Sequence, residues 1–308
     1  MTRAVAMIGL ACWATSGAAA AEPATLAGPA MGTTYRVTLA APPAGMRLAE
    51  VHREIEAVIA RIDRAASTWR DDSDASRFNR AAADEWVEVS ADLVAILRIA
   101  AKVHAESDGA FDVTVAPLVR LWGGGPRPVS GAPPSDDEIA ATRARVGMRH
   151  VEIRAAAAEA PPAIRKTATG VEIDLSGIVP GYAVDEIGAR LVALGSPDHV
   201  VELGGEVRAW GQAPDGQPWR VRLREDSRVV ERPAGEALGT ATRRAGRSPL
   251  DPRTGRPTAT ATGSVTVRAP SCAVADAWAV AAAVAGATPE AEGPLSVEAV
   301  RQAAARRD

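Results

Sequence analysis

The sequence predicts an α+β fold in a single domain. Three observations predict it. Leu48 to Ala66 places Val51, Ile55, Ile59 and Ile62 on one stripe at helical spacing, while Val200 to Trp210 and Trp219 to Leu223 look like a hairpin pair. Helical and strand stretches follow one another without regular strand–helix–strand alternation, which favours mixed layers over a doubly wound sheet. The 308 residues are 47% hydrophobic, enough to bury a sizeable core, and no internal repeat is visible.

In chain order, Thr34 to Ala40 alternates as a short strand before the Leu48 to Ala66 helix. A polar loop, Ser67 to Asp74, follows, and Trp86 to Val89 reads as a strand. Ser90 is placed to cap a helix that runs to Glu106 and stops at Ser107-Asp108-Gly109. Gly123 to Ser135 is rich in Gly and Pro and reads as a surface loop. A short helix over Asp136 to Val146 comes next, then strands at Val151 to Arg154 and Val171 to Leu175 and a helix over Pro180 to Leu194. Ser264 to Arg268 reads as a strand and Ser271 to Ala285 as an Ala-rich helix.

The first residues read as an export signal. Arg3 supplies the positive charge, Ala4 to Trp13 a short apolar run, and Ala19 to Ala21 a cleavage pattern before Glu22. The run is too short to span a bilayer, and Cys12 sits too early to be a lipidation site. The expected organisation is a signal peptide over 1–21, a domain over 22–286 and a tail over 287–308, possibly helical. The mature chain is expected in the periplasm, with no transmembrane segment. Removal of the signal leaves Cys272 as a lone thiol, read as a small buried hydrophobe. A formal net charge of −3 carries no basic footprint for nucleic acid.

Five short motifs carry candidate chemistry. Asp174-Leu-Ser-Gly-Ile-Val-Pro-Gly181 ends a strand and opens a helix, a place where free N–H groups seat a phosphate; an ordinary capped turn has the same pattern. Gly109-Ala-Phe-Asp-Val-Thr114 sets one of two phenylalanines beside an acid, either facing a ligand or plugging the core. Gly204-Gly205 interrupts a strand, as a bulge or a close backbone approach would. Asp276 lies among apolar neighbours in its helix; buried, it needs a cation such as Mg²⁺, and at the helix edge it faces water. Asp251-Pro-Arg-Thr-Gly-Arg-Pro257 is turn-rich, and Arg253 or Arg256 could meet a phosphate. His52, His104, His150 and His199 do not cluster with these motifs. No P-loop, G-x-S-x-G, H-E-x-x-H or C-x-x-C pattern is present.

Taken in order, the pieces resemble the ApbE family of FAD:protein FMN transferases. They are Met31-Gly-Thr-Thr-Tyr35, Ser67-Thr-Trp69 with Ser76-Arg-Phe-Asn79, and Gly109 to Thr114 with Pro117 and Leu121-Trp122-Gly123. The series continues with Asp174 to Asp185, Gly204-Gly205, Asp251 to Gly255, and Ser264-Val-Thr-Val267 leading to Ala275-Asp276-Ala277. The resemblance runs from Met31 to Gly286. It implies an ApbE-type, T-fold-like arrangement of mixed sheets packed with helices. It implies an enzyme that moves FMN from FAD onto a Thr hydroxyl of an exported redox protein, with Mg²⁺, releasing AMP. By the same resemblance Met31, Trp69, Ala110, Phe111, Asp112, Asp174 and Leu250 contact the flavin nucleotide, and Asp276 and the Gly177 carbonyl hold the metal.

The chain departs from that family's pattern at several places. Val280 stands where a metal-binding Thr is usual, Ser248 where a His is usual, and Pro180 where a Lys or another polar residue is common. Glu206 replaces Asp in the Gly-Gly motif, and Gly239 to Arg247 is short. The losses fall on metal, phosphate and proton handling, so an FAD-binding relative with impaired catalysis, or an FAD pyrophosphatase releasing FMN and AMP, stands as the alternative.

Overall fold

A computed structural model describes residues 23–126, 132–157, 160–222, 229–232, 235–243, 249–258, 263–286, 295–297 and 299–300. The export-signal residues, Ser248 and Leu223 lie outside them. Elements are numbered in chain order. A seven-stranded sheet runs β1 (Ala24–Ala30), β2 (Thr33–Leu39), β6 (His199–Leu203), β7 (Glu206–Trp210), β10 (Ala237–Arg243), β13 (Gly263–Ala269) and β14 (Leu295–Ser296). Neighbours are antiparallel except β13 and β14, where Val267 and Arg268 run parallel to Leu295 and Ser296. Residues 295–296 of the segment expected as a tail therefore extend this sheet, and Val300 is buried in the core.

Helix α7 (Cys272–Val284) lies on β10 and β13, and α6 (Val179–Ala193) on β6 and β7. Helices α1 (Leu48–Ala66) and α3 (Ala91–Glu106) back these two. The expected stripe of α1 is the buried one: Val51, Ile55, Ile59 and Ile62 all face the core. Ser90 caps α3, accepting the Leu93 N–H at 3.3 Å, and Ser271 does the same for α7 with the Val274 N–H. Alanines at 273, 275, 277, 279, 281, 282 and 283 make α7 narrow, so it sits close to its neighbours and is buried almost all round.

The remaining elements frame one end of this core. Helix α2 (Asp74–Arg80) follows the Ser67 loop. A three-stranded sheet orders β3 (Val87–Glu88), β5 (Ala163–Lys166) and β4 (Val151–Arg154). Short helices α4 (Ala116–Leu121) and α5 (Asp136–Arg143) and two small hairpins complete the set. The hairpins are β8 (Trp219–Arg222) with β9 (Val229–Arg232), and β11 (Leu250–Asp251) with β12 (Arg256–Pro257). No helix among the described residues is long and apolar enough to cross a membrane.

Three expectations are corrected. Val171 to Leu175 forms no strand, because side chains and the single Val113 carbonyl satisfy its backbone in place of a neighbouring strand. Asn79 Nδ2 donates to the Ile173 carbonyl at 2.9 Å, its Oδ1 accepts the Ile173 N–H at 2.8 Å, and Lys166 Nζ donates to the Val171 carbonyl at 2.8 Å. Val200 to Trp210 is a complete hairpin by itself. Gly204 and Gly205, with φ of 73° and 131°, form its turn and not a bulge, so Trp219 pairs with Arg232 instead. Strands β1 and β5 and helix α2 stand where no element was expected.

Candidate functional site: a two-chambered cleft

Two chambers meet at Ser176, on the turn before α6. The first, about 170 Å³, is lined by Ala110, Phe111, Asp112, Asp174, Gly177 and Leu250, together with Val280 and neighbouring residues. The second, about 560 Å³, is lined by Met31, Trp69, Leu175, Val179 and Pro180 among others. All seven residues expected to contact the nucleotide thus line one of two adjoining chambers, with Gly177 between Phe111 and Val280. Large apolar faces with a few polar groups suit a flat heteroaromatic ligand.

Local structure places each of these groups. Met31 and Gly32 form the two-residue turn between β1 and β2, both with positive φ (49° and 75°), as the twist of a tight hairpin demands. A left-handed Met is a strained choice, and it sets the side chain at the chamber wall. Trp69, 74% exposed, stands over the same chamber, its loop pinned by Ser76 Oγ, which donates to the Ser67 carbonyl at 3.3 Å.

Asp112 is buried. Its Oδ1 accepts the Thr114 N–H at 2.8 Å and the Thr114 hydroxyl at 2.6 Å, capping a short 3₁₀ turn. His104 belongs to this motif after all. Its Nδ1–H donates to the Phe111 carbonyl at 3.1 Å and stands 3.3 Å from Asp112 Oδ2. A carbonyl can only accept, which fixes the tautomer. The helical turn between His104 and Gly109 hides this contact from a linear reading.

Asp174 Oδ1 accepts the Ser176 N–H at 2.9 Å, and the Asp174 N–H donates to the Val113 carbonyl at 2.7 Å. The two chemistry-bearing turns are thereby tied together. Leu250 is held by the β11–β12 hairpin, which Trp122 anchors by donating Nε1–H to the Gly255 carbonyl at 2.9 Å. Arg253 pairs with Asp251 at 2.9 Å and Arg256 with Asp136. Both cations of the turn are thus engaged with carboxylates.

Asp276 is buried at 4% exposure, and not at a wetted helix edge. Its Oδ2 accepts the Gly181 N–H in the first turn of α6 at 3.1 Å. Burial pushes its carboxyl up to about 7, against the pull of that hydrogen bond. A buried carboxylate with this little stabilisation gains from a cation. Among the described residues no three His, Cys, Asp or Glu side chains gather as a metal cluster. A metal here would rest on Asp276, the Gly177 carbonyl, water and ligand phosphate. That donor set is all oxygen and suits Mg²⁺, which keeps several waters. Val280, one turn past Asp276, sets a methyl 2.9 Å from where a Cβ on Gly177 would lie.

The helices that carry this site also cap each other. Asp276, on α7, receives an N–H from the start of α6. Asp185, on α6, receives the Cys272 and Ala273 N–H groups at the start of α7, both at 3.0 Å, and pairs with Arg208 Nη1 at 2.5 Å. Sequence reasoning singled out neither Asp185 nor Arg208 for this role. The available signal was spacing: each acid stands four residues after the N–H-bearing position of its own helix.

The sheet, the helices laid against it and the cleft beside the start of α6 define an α+β protein with a two-chambered cleft. The ApbE family profile matches residues 31–293, and the chain belongs to that family. A Vibrio cholerae protein named FAD:protein FMN transferase is 34% identical over 281 residues, covering 86% of this chain and 82% of its own. One of that name from Haemophilus influenzae is 32% identical over 270 residues, covering 82% and 78%. Among solved structures, the apo flavinyl transferase ApbE of Pseudomonas stutzeri superposes with a TM-score of 0.78 at 34% identity, covering 87% of this chain and 86% of that one. The Thermotoga maritima ApbE protein does so with a TM-score of 0.73 at 28% identity, covering 86% and 88%.

Proposed function

We propose that this chain is an FAD:protein FMN transferase that acts in the periplasm after export. It takes FAD into the two-chambered cleft and passes the FMN phosphoryl group to a Thr hydroxyl of an exported acceptor flavoprotein. The observation that carries this reading is the meeting of Met31 and Trp69 with Ala110, Phe111, Asp112, Asp174 and Leu250 around one cleft, in a member of this family.

In the step, the Thr oxygen forms a bond to the FMN phosphorus as the pyrophosphate bond breaks. AMP departs with the bridging oxygen, and the hydroxyl proton is released. Little covalent work falls to the protein, so positioning and charge neutralisation dominate. Trp69 and Met31 hold aromatic surface, and the turn at Ser176 and Gly177 presents backbone to the phosphates. Asp276 and the Gly177 carbonyl would hold Mg²⁺, which supplies charge neutralisation on the pyrophosphate when bound.

A second reading is motivated by Val280, whose methyl group packs against Gly177 at the wall where the metal would sit. It is an FAD-binding relative that transfers nothing, or one that hands the phosphoryl group to water. The test is a mass spectrum of an acceptor domain incubated with the mature protein, FAD and Mg²⁺. A gain of one FMN with AMP released supports the transferase. AMP without the adduct supports hydrolysis, and neither, with FAD still bound, supports the binding protein.

A further inference from the structure

We propose that Asp185, held by Arg208, is the positioning residue of this site: it sets where the Asp276 carboxylate stands. The inference rests on the assignment of Asp276 as the metal ligand. Asp185 touches neither cleft chamber. It acts through the first turn of α7, where Oδ1 takes the Cys272 N–H and Oδ2 the Ala273 N–H. Asp276 lies one helical turn beyond Cys272, on the same face of α7. Any tilt of that first turn moves the carboxylate.

The surroundings leave no slack to absorb such a tilt. A Cβ on Gly181 would stand 2.3 Å from the Cys272 carbonyl oxygen, so α6 and α7 meet backbone to backbone. On the other side, a Cβ on Gly239 of β10 would stand 2.2 Å from the Asp276 nitrogen. The first turn of α7, from Cys272 to Asp276, is thus wedged between two glycines, and the direction along the helix axis is set by Asp185. Arg208 orients the Asp185 carboxylate through its 2.5 Å contact while lying over the Trp210 ring at 4.9 Å. Two backbone N–H groups and one guanidinium make that carboxylate a rigid fixture.

A residue that only stabilised the fold would weaken FAD binding with and without metal alike. A residue that aims a metal ligand weakens only the metal-dependent part. Groups that orient metal ligands typically change metal affinity by about 10–100-fold when removed. The experiment measures FAD affinity of the full mature chain by flavin fluorescence, in Mg²⁺ and in EDTA, with thermal midpoints alongside. Asp185→Asn is expected to weaken FAD binding in Mg²⁺ by about tenfold, to leave binding in EDTA unchanged, and to recover partly at raised Mg²⁺. Arg208→Gln keeps both helix caps and is expected to give a smaller loss in the same direction; it decides the matter if Asp185→Asn does not fold. Equal losses in both buffers, or no loss, would overturn the proposal. Wild-type protein that binds no FAD would instead overturn the functional reading beneath it.

Discussion

Replacing Asn79 with alanine removes the two hydrogen bonds that substitute for a strand partner at Ile173. The side chain donates to the Ile173 carbonyl at 2.9 Å and accepts its N–H at 2.8 Å, and Ile173 itself is fully buried. Alanine leaves both backbone groups without their side-chain partner in a partly buried place at the edge of a small pocket. Each such group costs about 1–3 kcal/mol when fully buried, and partial burial sets the expected loss of stability in the lower part of the summed range, about 2–4 kcal/mol. For a domain of this size that corresponds to a fall of roughly 5–15 °C in Tm. Urea unfolding at pH 7, with the m-value checked for constancy, measures it. Asn79→Asp keeps the acceptor for the N–H but sets a carboxylate against the carbonyl, and should lose at least as much. FAD affinity should fall as well, because the neighbouring Asp174 lines the cleft. A stability loss below about 0.5 kcal/mol, the size of an ordinary surface change, would refute the claim that side chains hold this segment in place of a sheet.

Three further outcomes are expected. Gly239→Ala drives a methyl into the α7 backbone, and equilibrium denaturation should show a loss of about 1–3 kcal/mol or more, since neither backbone can yield; an unchanged midpoint would contradict the wedge around Asp276. His199 is buried against Trp210, and burial holds its imidazole down at about 4. The unfolded chain, titrating near 6.5, takes up the proton first, so this stabilisation is complete above about pH 6.5 and is lost as pH falls through 4. His199→Gln should therefore shrink the stability difference between pH 7 and pH 4.5 by roughly 2–3 kcal/mol, and identical pH profiles for the two proteins would contradict it. Trp69→Ala should leave the urea midpoint unchanged, because the ring is exposed, while weakening FAD binding by about 0.5–1.5 kcal/mol, read by fluorescence titration; unchanged affinity would remove Trp69 from the flavin-binding wall.

Periodic features were legible in the sequence. The stripe of α1, the Ser90 cap of α3 and the bounds of β4 follow from local spacing and capping chemistry, and the structure places them as expected. Val171 to Leu175 has the composition of a strand, but its hydrogen-bond partners are Asn79, 94 residues from Ile173, the Val113 carbonyl and the folded-back side chain of Lys166, and no local pattern encodes that set. The Gly-Gly dipeptide was read as a break because the two-residue turn leaves both flanking strands looking like one run. The cleft residues were legible as motifs, through Phe111 beside Asp112 and through Asp174 before the α6 turn. The convergence of His104 on Phe111, and of Asp185 on the start of α7, requires the fold itself.

The mutual capping of α6 and α7 also bears on how the cleft comes into being. The acid that completes α6 lies 95 residues from the N–H it receives, and the acid that completes α7 lies 87 residues from its own. Ser271 caps the Val274 N–H locally, but the N–H groups of Gly181, Cys272 and Ala273 wait for acids from distant chain, so both helix starts stay incomplete until the long loops between them have closed. The amides of Gly181, Cys272 and Ala273 should consequently exchange with deuterium only when the whole domain opens, as one cooperative unit. A chain still emerging during synthesis, or one partly unfolded, has no half-built cleft, and a ligand of this site meets only protein that has finished folding.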